Sequence, residues 1–278
     1  MEVILALAIG LAIGSFVNVC IVRLPLGESV VSPRSRCPQC RKTITWRDNI
    51  PLLSYILLAG RCRNCGKKIS LRYPLVETLT GVIAVILHLK FGFAAQWFIY
   101  FPFCAALVAL ALIDVDHRIL PDRITLPGMG AGLLLTTIFI EPSPPTVTVL
   151  RFVGLQGLDS HFQTLAAGVI GAVVGGGLLW GVGEAYFRLR GVEGMGFGDV
   201  KMMGMVGAFL GAPLALLTIM IGSLVGSIVG LAFMRFTGKS RDYELPFGTF
   251  LGFAAVITVL YGEDLVRLYV DRVIGPAL

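Results

Sequence analysis

Two carboxylates stand where this chain can least tolerate charge. Asp114 ends the apolar run FCAALVALALID, and Asp199 lies inside the glycine-rich stretch GMGFGDVKM. An unpaired carboxylate at the edge of hydrocarbon costs about 3 kcal/mol, so acids in such places mark function. Two carboxyl groups a few ångströms apart cannot both ionise cheaply. They share a proton, and the pair then holds both a base to activate water and an acid to protonate a leaving group. The chemistry expected of them is peptide hydrolysis without a metal or a covalent intermediate. The segment LALIDVDHRILPDRIT presents Asp114, Asp116 and Asp122. Residues two apart point to different sides of a helix, so only one of Asp114 and Asp116 can face Asp199. Asp114, which directly continues the apolar run, is the candidate, and Asp116 reads as solvated. Asp122, after Pro121, reads as a helix N-cap. Asp199 has a cap as its plain alternative. However, Gly194, Gly196 and Gly198 before it free the backbone for close approach of another chain, which a loop admitting an extended peptide needs and a cap does not. Lys201 is placed either to tune the pair or to act as a positively charged anchor.

A second constellation is made of sulfur. Cys37-Pro-Gln-Cys40 and Cys62-Arg-Asn-Cys65 are two CxxC knuckles separated by 21 residues. Four thiolates so spaced suit tetrahedral Zn2+, whose binding can fold a segment with little core of its own. Two disulfides are disfavoured by a cytoplasmic position, and a redox motif needs one CxxC rather than a matched pair. Cys20 and Cys104 sit in apolar runs, where cysteine acts as a small hydrophobe.

The elements that must position these groups follow from composition. With 56% hydrophobic and 14% charged residues among 278, and a mean hydropathy of +0.83, the chain has too little polar surface to coat a soluble globule. It reads as an all-α polytopic membrane protein with about eight transmembrane helices, at 2–22, 74–90, 95–115, 123–140, 163–187, 200–212, 214–236 and 246–262. Gly211-Ala212-Pro213 interrupts what would otherwise be one long helix. Between the first and second helices lies a small zinc-ribbon-like domain. The expected division is 1–22 first helix, 23–73 tetra-cysteine domain, 74–262 helical peptidase domain and 263–278 tail. Of the 23 Lys and Arg, 11 fall between Arg23 and Arg72, against only Glu28 and Asp48. The positive-inside rule therefore places that loop in the cytoplasm and the N-terminus outside. The loops at 117–123, 188–201 and 235–241 fall inside by the same count, and 141–162 and the tail outside. Asp114, Asp199 and the cysteines all then face the cytoplasm. The first helix reads as a retained anchor, since a cleaved signal would have a positive start and a small-residue cleavage site. The net charge of +6 is met by anionic membrane lipid, and without aromatic interleaving no nucleic-acid partner is expected. The glycines from Gly168 to Gly183 read as small-residue packing between helices.

Five groups of residues together resemble a known family. They are Gly14-Ser15-Phe16-Val17-Asn18-Val19 with Arg23-Leu24-Pro25, the paired knuckles, Ser70 to Glu77, Asp114-Val115-Asp116 with Leu120-Pro121-Asp122, and Gly196-Phe197-Gly198-Asp199. In this order, over residues 10 to 250, they look like the type IV prepilin peptidases, which also serve type II secretion. The resemblance implies a GxGD-type intramembrane aspartyl protease of the bacterial inner membrane, with Asp114 and Asp199 catalytic. It implies substrates that are prepilins or pseudopilins, whose short basic leader is removed on the cytoplasmic side. It also implies N-methylation of the new N-terminus with S-adenosylmethionine, with Gly60 and Glu77 as the positions carried over for methyl transfer or substrate binding. Read from residues alone, Glu77 has a plain alternative as a helix-end carboxylate bonded to Arg72. Two rival functions are a proton-coupled transporter, whose acids should lie at the membrane midplane, and a membrane transferase holding Mg2+ on Asp114, Asp116 and Asp122.

Overall fold

Nine α-helices account for most of the described residues. The computed structural model describes residues 1–155, 157–192, 194–237, 245–269 and 272; Arg241 and half of the 263–278 tail lie outside them. The helices are α1 Glu2–Arg23, α2 Leu53–Leu57, α3 Arg72–Phe91, α4 Ala95–His117, α5 Asp122–Phe139, α6 Pro144–Phe152, α7 Ser160–Arg190, α8 Phe197–Thr237 and α9 Phe247–Tyr269. The described residues contain no β-strand beyond two isolated bridges, Arg36 with Thr43 and Arg61 with Lys68.

Six of these helices are long and apolar enough to cross a membrane, or seven if α5 and α6, bent by 96° at their junction, form one span. Two features bear on the expected eight, which this count does not reach. The 141–162 segment is not a plain loop but carries α6, whose Thr146 and Leu150 are buried. The segments expected at 200–212 and 214–236 together make up α8, 41 residues in which two helices meet at a kink. Straight, it would reach about 60 Å, twice the hydrocarbon core. It is broken at Gly211, as expected, where φ is 76° and ψ 172°, a conformation open to glycine alone.

The chain divides into two compact units, Met1–Ala109 and Leu110–Leu278. In the first, α1 lies against α3 through missing side chains. A Cβ on Gly10 would come within 2.7 Å of Gly81 Cα, and one on Gly14 within 2.7 Å of Glu77 Cα. Such close backbone approach is how membrane helices associate where no hydrophobic force drives them. Asn18 Nδ2 donates to the Tyr73 carbonyl at 3.0 Å, and the buried Arg23 donates from Nη1 to the Ser29 carbonyl at 3.0 Å. The GSFVN motif thus ties α1 to the start of α3.

In the second unit α8 is the hub, packed on α7, α9 and α5. Gly168, Gly171, Gly175 and Gly176 of α7 face the α8 backbone directly, whereas a Cβ on Gly177 or Gly181 would meet nothing within 4 Å. A Cβ on Gly171 would strike the Gly207 carbonyl and Gly211 Cα, and one on Gly175 would come 2.6 Å from the Met203 carbonyl. The small-residue reading therefore holds from Gly168 to Gly176. Asp159 caps α7 by accepting from the His161 N–H at 3.0 Å, and Gly191, with φ 71° and ψ 10°, ends it in the left-handed conformation. Buried threonines in both units return their hydroxyls to carbonyls one turn back, as Thr80 does to Val76 and Thr136 to Gly132. These two hydroxyls are thereby satisfied within their own helices.

Candidate active site

The two acids named from sequence converge inside the second unit. Asp114 lies in the last turn of α4 and is 6% exposed; Asp199 lies in the first turn of α8 and is 7% exposed. Asp116, two residues on, is exposed, so the helix turns one acid inward and one outward, as expected. Gly248, in the first turn of α9, measures how close the pair comes. A Cβ built there would lie 2.7 Å from Asp199 Oδ1 and 3.1 Å from Asp114 Oδ2. The two oxygens are therefore no farther apart than the sum of those distances, close enough to hold one water between them.

The third partner was not foreseen. Thr249 donates its backbone N–H to Asp114 Oδ2 at 2.7 Å, and its Oγ1 lies 3.0 Å from the same oxygen and 3.0 Å from the Ala111 carbonyl. Helix starts leave their first N–H groups without intrahelical partners and carry partial positive charge. The start of α9 gives one of those donors to Asp114. Leu120 closes the site on its apolar side, since a Cβ on Gly248 would also meet its Cδ1 at 2.9 Å. The only trace in the sequence is Pro246-Phe247-Gly248-Thr249, a proline before a helix with two small residues in its first turn.

Asp122 and Lys201 are used elsewhere. Asp122 is the first residue of α5 and makes no side-chain cap bond, which corrects the N-cap expectation. Both its oxygens accept from Lys201 Nζ at 2.8 Å. That lysine thus pins the start of α8 to the start of α5, and its ammonium is committed to Asp122. Among the described residues the only close group of three or more potential metal ligands is the four cysteines, so Asp114, Asp116 and Asp122 do not form the Mg2+ cluster of the transferase rival.

The sulfur site lies in the first unit. Ligand atoms of Cys37, Cys40, Cys62 and Cys65 all fall within 4.8 Å of one another, with Cys37 Sγ 3.9 Å from Cys65 Sγ. Four sulfurs about 2.3 Å from one tetrahedral Zn2+ stand about 3.8 Å apart, so the cluster could bind zinc. All four are free thiols. The two knuckles repeat one another as Arg-Cys-x-x-Cys-x-Lys-x-Ile at Arg36 and Arg61. In each, the first cysteine N–H donates across the turn, Cys37 to the Lys42 carbonyl and Cys62 to the Lys67 carbonyl. Backbone N–H groups, that of Cys40 foremost, pull the Cys37 thiol down to about 7. At Cys65 the Lys67 N–H also favours the thiolate, but desolvation and the three neighbouring sulfurs outweigh it and push that thiol up to about 11. Four thiols so crowded ionise together only around a cation. Asp48 joins the halves of the loop: it accepts from Arg63 Nε and Nη2 at 2.8 to 2.9 Å.

Gly60 and Glu77 also fall in the first unit, each with a structural partner. Gly60 turns the chain at φ 65°, and a Cβ there would meet Tyr55 Oη at 2.8 Å. Glu77 Oε2 accepts from the Leu52 N–H at 2.9 Å. Leu52 has φ 57° and ψ −49°, a strained backbone for a branched residue, and the buried carboxylate secures it.

Comparison with known proteins places this geometry. Residues 8–91 match the Bacterial Peptidase A24 N-terminal domain, and residues 101–231 the Type IV leader peptidase family. A prepilin leader peptidase/N-methyltransferase of Pseudomonas putida is 34% identical over 283 residues, covering 94% of this chain and 91% of its own. The chain belongs to the type IV leader peptidase family. Likewise named relatives in Stutzerimonas stutzeri, 33% identical over 97% of this chain and 94% of their own, and in Pseudomonas aeruginosa strain PAO1, 34% identical over 97% and 93%, span nearly the same length. No solved structure matches the chain. Asp114 and Asp199 both fall within the leader-peptidase match and the four cysteines within the N-terminal one, whereas Gly248 and Thr249 lie beyond both.

Proposed function

We propose that this protein removes the leader peptide of prepilins or pseudopilins, with Asp114 and Asp199 as its catalytic pair, and N-methylates the new N-terminus. The names of the relatives supply the activities. The observation that carries the assignment of residues is the convergence of two buried acids, 85 residues apart in sequence, on Gly248. A water held between them attacks the scissile carbonyl carbon and gives its proton to the ionised carboxylate, while the protonated one gives its proton to the carbonyl oxygen. As the resulting diol collapses, the carbon–nitrogen bond breaks and the first acid's proton passes to the departing amine. A diol proton returns to the second acid. One water is consumed, and the enzyme ends as it began.

The charge pattern supports a cytoplasmic site in a multi-pass protein of the bacterial inner membrane. Its basic loop faces anionic lipid, the leader lies at the inner leaflet and the apolar pilin stem stays in the bilayer. The sulfur cluster suits a structural Zn2+ joining the two knuckles of the 23–73 domain. S-adenosylmethionine is the methyl donor implied for the second activity, and when bound it supplies an electrophilic methyl group. Glu77, a buried carboxylate with one oxygen engaged by Leu52, has the chemistry to hold an ammonium group. Gly60 shapes the turn before the third cysteine.

The test is mass analysis of a model prepilin after incubation with the purified protein, with and without S-adenosylmethionine. Asp114→Asn and Asp199→Asn should each lose the leader-sized mass change while still adding a methyl group to a pre-cleaved substrate. Cleavage retained by either variant rejects the pair.

A further inference from the structure

The two acids are not equivalently held. Asp114 Oδ2 faces two potential donors from one residue, the Thr249 backbone N–H at 2.7 Å and its hydroxyl at 3.0 Å. Among the described residues no hydrogen-bond donor is seen on the Asp199 carboxylate, which is 7% exposed and buried against Leu120 and Gly248. The charged groups acting on Asp114 are Asp199, from α8, and Arg118, just past the end of its own helix. A pair that shares one proton leaves it where the anion would be least supported, and donors gathered at a helix N-terminus support an anion. We propose that Thr249 is the positioning residue of the pair: it holds Asp114 as the carboxylate that receives the proton of water and leaves Asp199 to carry the shared proton.

The hydroxyl is suited to that work because it has two acceptors and one hydrogen. Its Oγ1 stands 3.0 Å from Asp114 Oδ2 and 3.0 Å from the Ala111 carbonyl. Turned to Asp114, it makes a charge-assisted bond, about twice as strong as a neutral one. Once Asp114 has taken a proton the advantage disappears, and the hydrogen turns to Ala111. The backbone N–H does not turn, so orientation is kept while the support for charge varies. Serine preserves this arrangement, valine keeps the shape without the hydroxyl, and alanine removes both.

This inference rests on the two-aspartate reading, and the experiment separates them. Leader cleavage by Thr249→Val, Thr249→Ala and Thr249→Ser is followed from pH 5 to 9, beside Asp114→Asn and Asp199→Asn, with methylation of a pre-cleaved substrate reporting a folded protein. Removing a hydrogen bond to a charged group lowers kcat roughly 10- to 100-fold. The valine and alanine proteins should show that fall with KM within about twofold, and the acid limb of their pH–rate profile should move to higher pH. The serine protein should keep the parent profile. If valine misfolds, as judged by lost methylation, the alanine protein decides. A folded valine or alanine protein with the parental kcat and profile overturns the role of Thr249, as does a fall in kcat with an unmoved acid limb. In both cases the two-aspartate reading stands so long as the asparagine variants are inactive. Cleavage by either asparagine variant removes that reading, and this inference with it.

Discussion

Replacing Gly248 with alanine adds one methyl group at the point where the two carboxyl groups meet. That carbon would lie 2.7 Å from Asp199 Oδ1, 2.9 Å from Leu120 Cδ1 and 3.1 Å from Asp114 Oδ2, where ordinary contact begins at 3.4 Å. Leu120 can swing its terminal methyl aside, but the carboxyl groups must part by about 0.7 and about 0.3 Å. A misplacement of about 1 Å in a catalytic array costs on the order of 100-fold, so kcat should fall roughly 30- to 100-fold, or about 2 to 3 kcal/mol of barrier. Stability should move less. Gly248 does not occupy the left-handed region, so alanine adopts its backbone and gains up to about 1 kcal/mol of helix propensity, against about 1 to 3 kcal/mol for overpacking. Purified Gly248→Ala in lipid nanodiscs is compared with the parent for prepilin cleavage, methylation of a pre-cleaved peptide and thermal unfolding. Cleavage should be lost far out of proportion to the change in unfolding, with methylation kept. Cleavage within about threefold of the parent would refute the arrangement of the two acids around Gly248.

Metal analysis should find one zinc per chain, reduced in Cys62→Ser; chelation should open Arg61, Arg63 and Lys67 to trypsin and impair methylation before cleavage. A zinc-free, trypsin-resistant parent protein would contradict this. Arg63 holds Asp48 below the ordinary carboxylate range through its hydrogen bonds, so the pair's contribution is fully present above the unfolded value of about 3.9 and is lost as pH falls through the folded one. Arg63→Ala should therefore raise hydrogen exchange in residues 46–63 at pH 7, and the difference from the parent should shrink as acid protonates Asp48; a difference independent of pH would deny the linkage. Lys201→Met removes a pair whose side chains are 25% and 53% exposed, so unfolding should shift by under about 1 kcal/mol while the pH–rate profile stays in place. A displaced profile would make Lys201 an electrostatic partner of the acids after all.

What the sequence disclosed depended on whether a residue announces its chemistry by type. Asp114, Asp199 and the cysteines could be named because charge in an apolar run and thiols at fixed spacing are each costly to keep without a use. Gly211 was legible as a break because glycine beside proline has a backbone meaning of its own. Gly248 and Thr249 were missed: a missing Cβ and a backbone N–H matter only once α9 is set against α4. The Leu52 amide that Glu77 accepts from was not legible for the same reason, since a backbone N–H carries no side-chain signature. Asp122 resembled a cap because caps are local, yet its partner Lys201 is 79 residues away. The count of eight spans treated 123–140 as a complete crossing, and the 96° bend between α5 and α6 cannot be read from hydropathy.

The contact between α7 and α8 bears on how this enzyme could open. Gly171 and Gly207 meet main chain to main chain, leaving no side chains whose rotation could let one helix slip past the other. The two helices are thus a single beam, and Asp199 is mounted at its end. Any movement that parts the acids to admit a substrate has to carry the whole beam or fall on lighter parts, the end of α4 and the start of α9. Thr249, gripping one from the other, is then the latch between them.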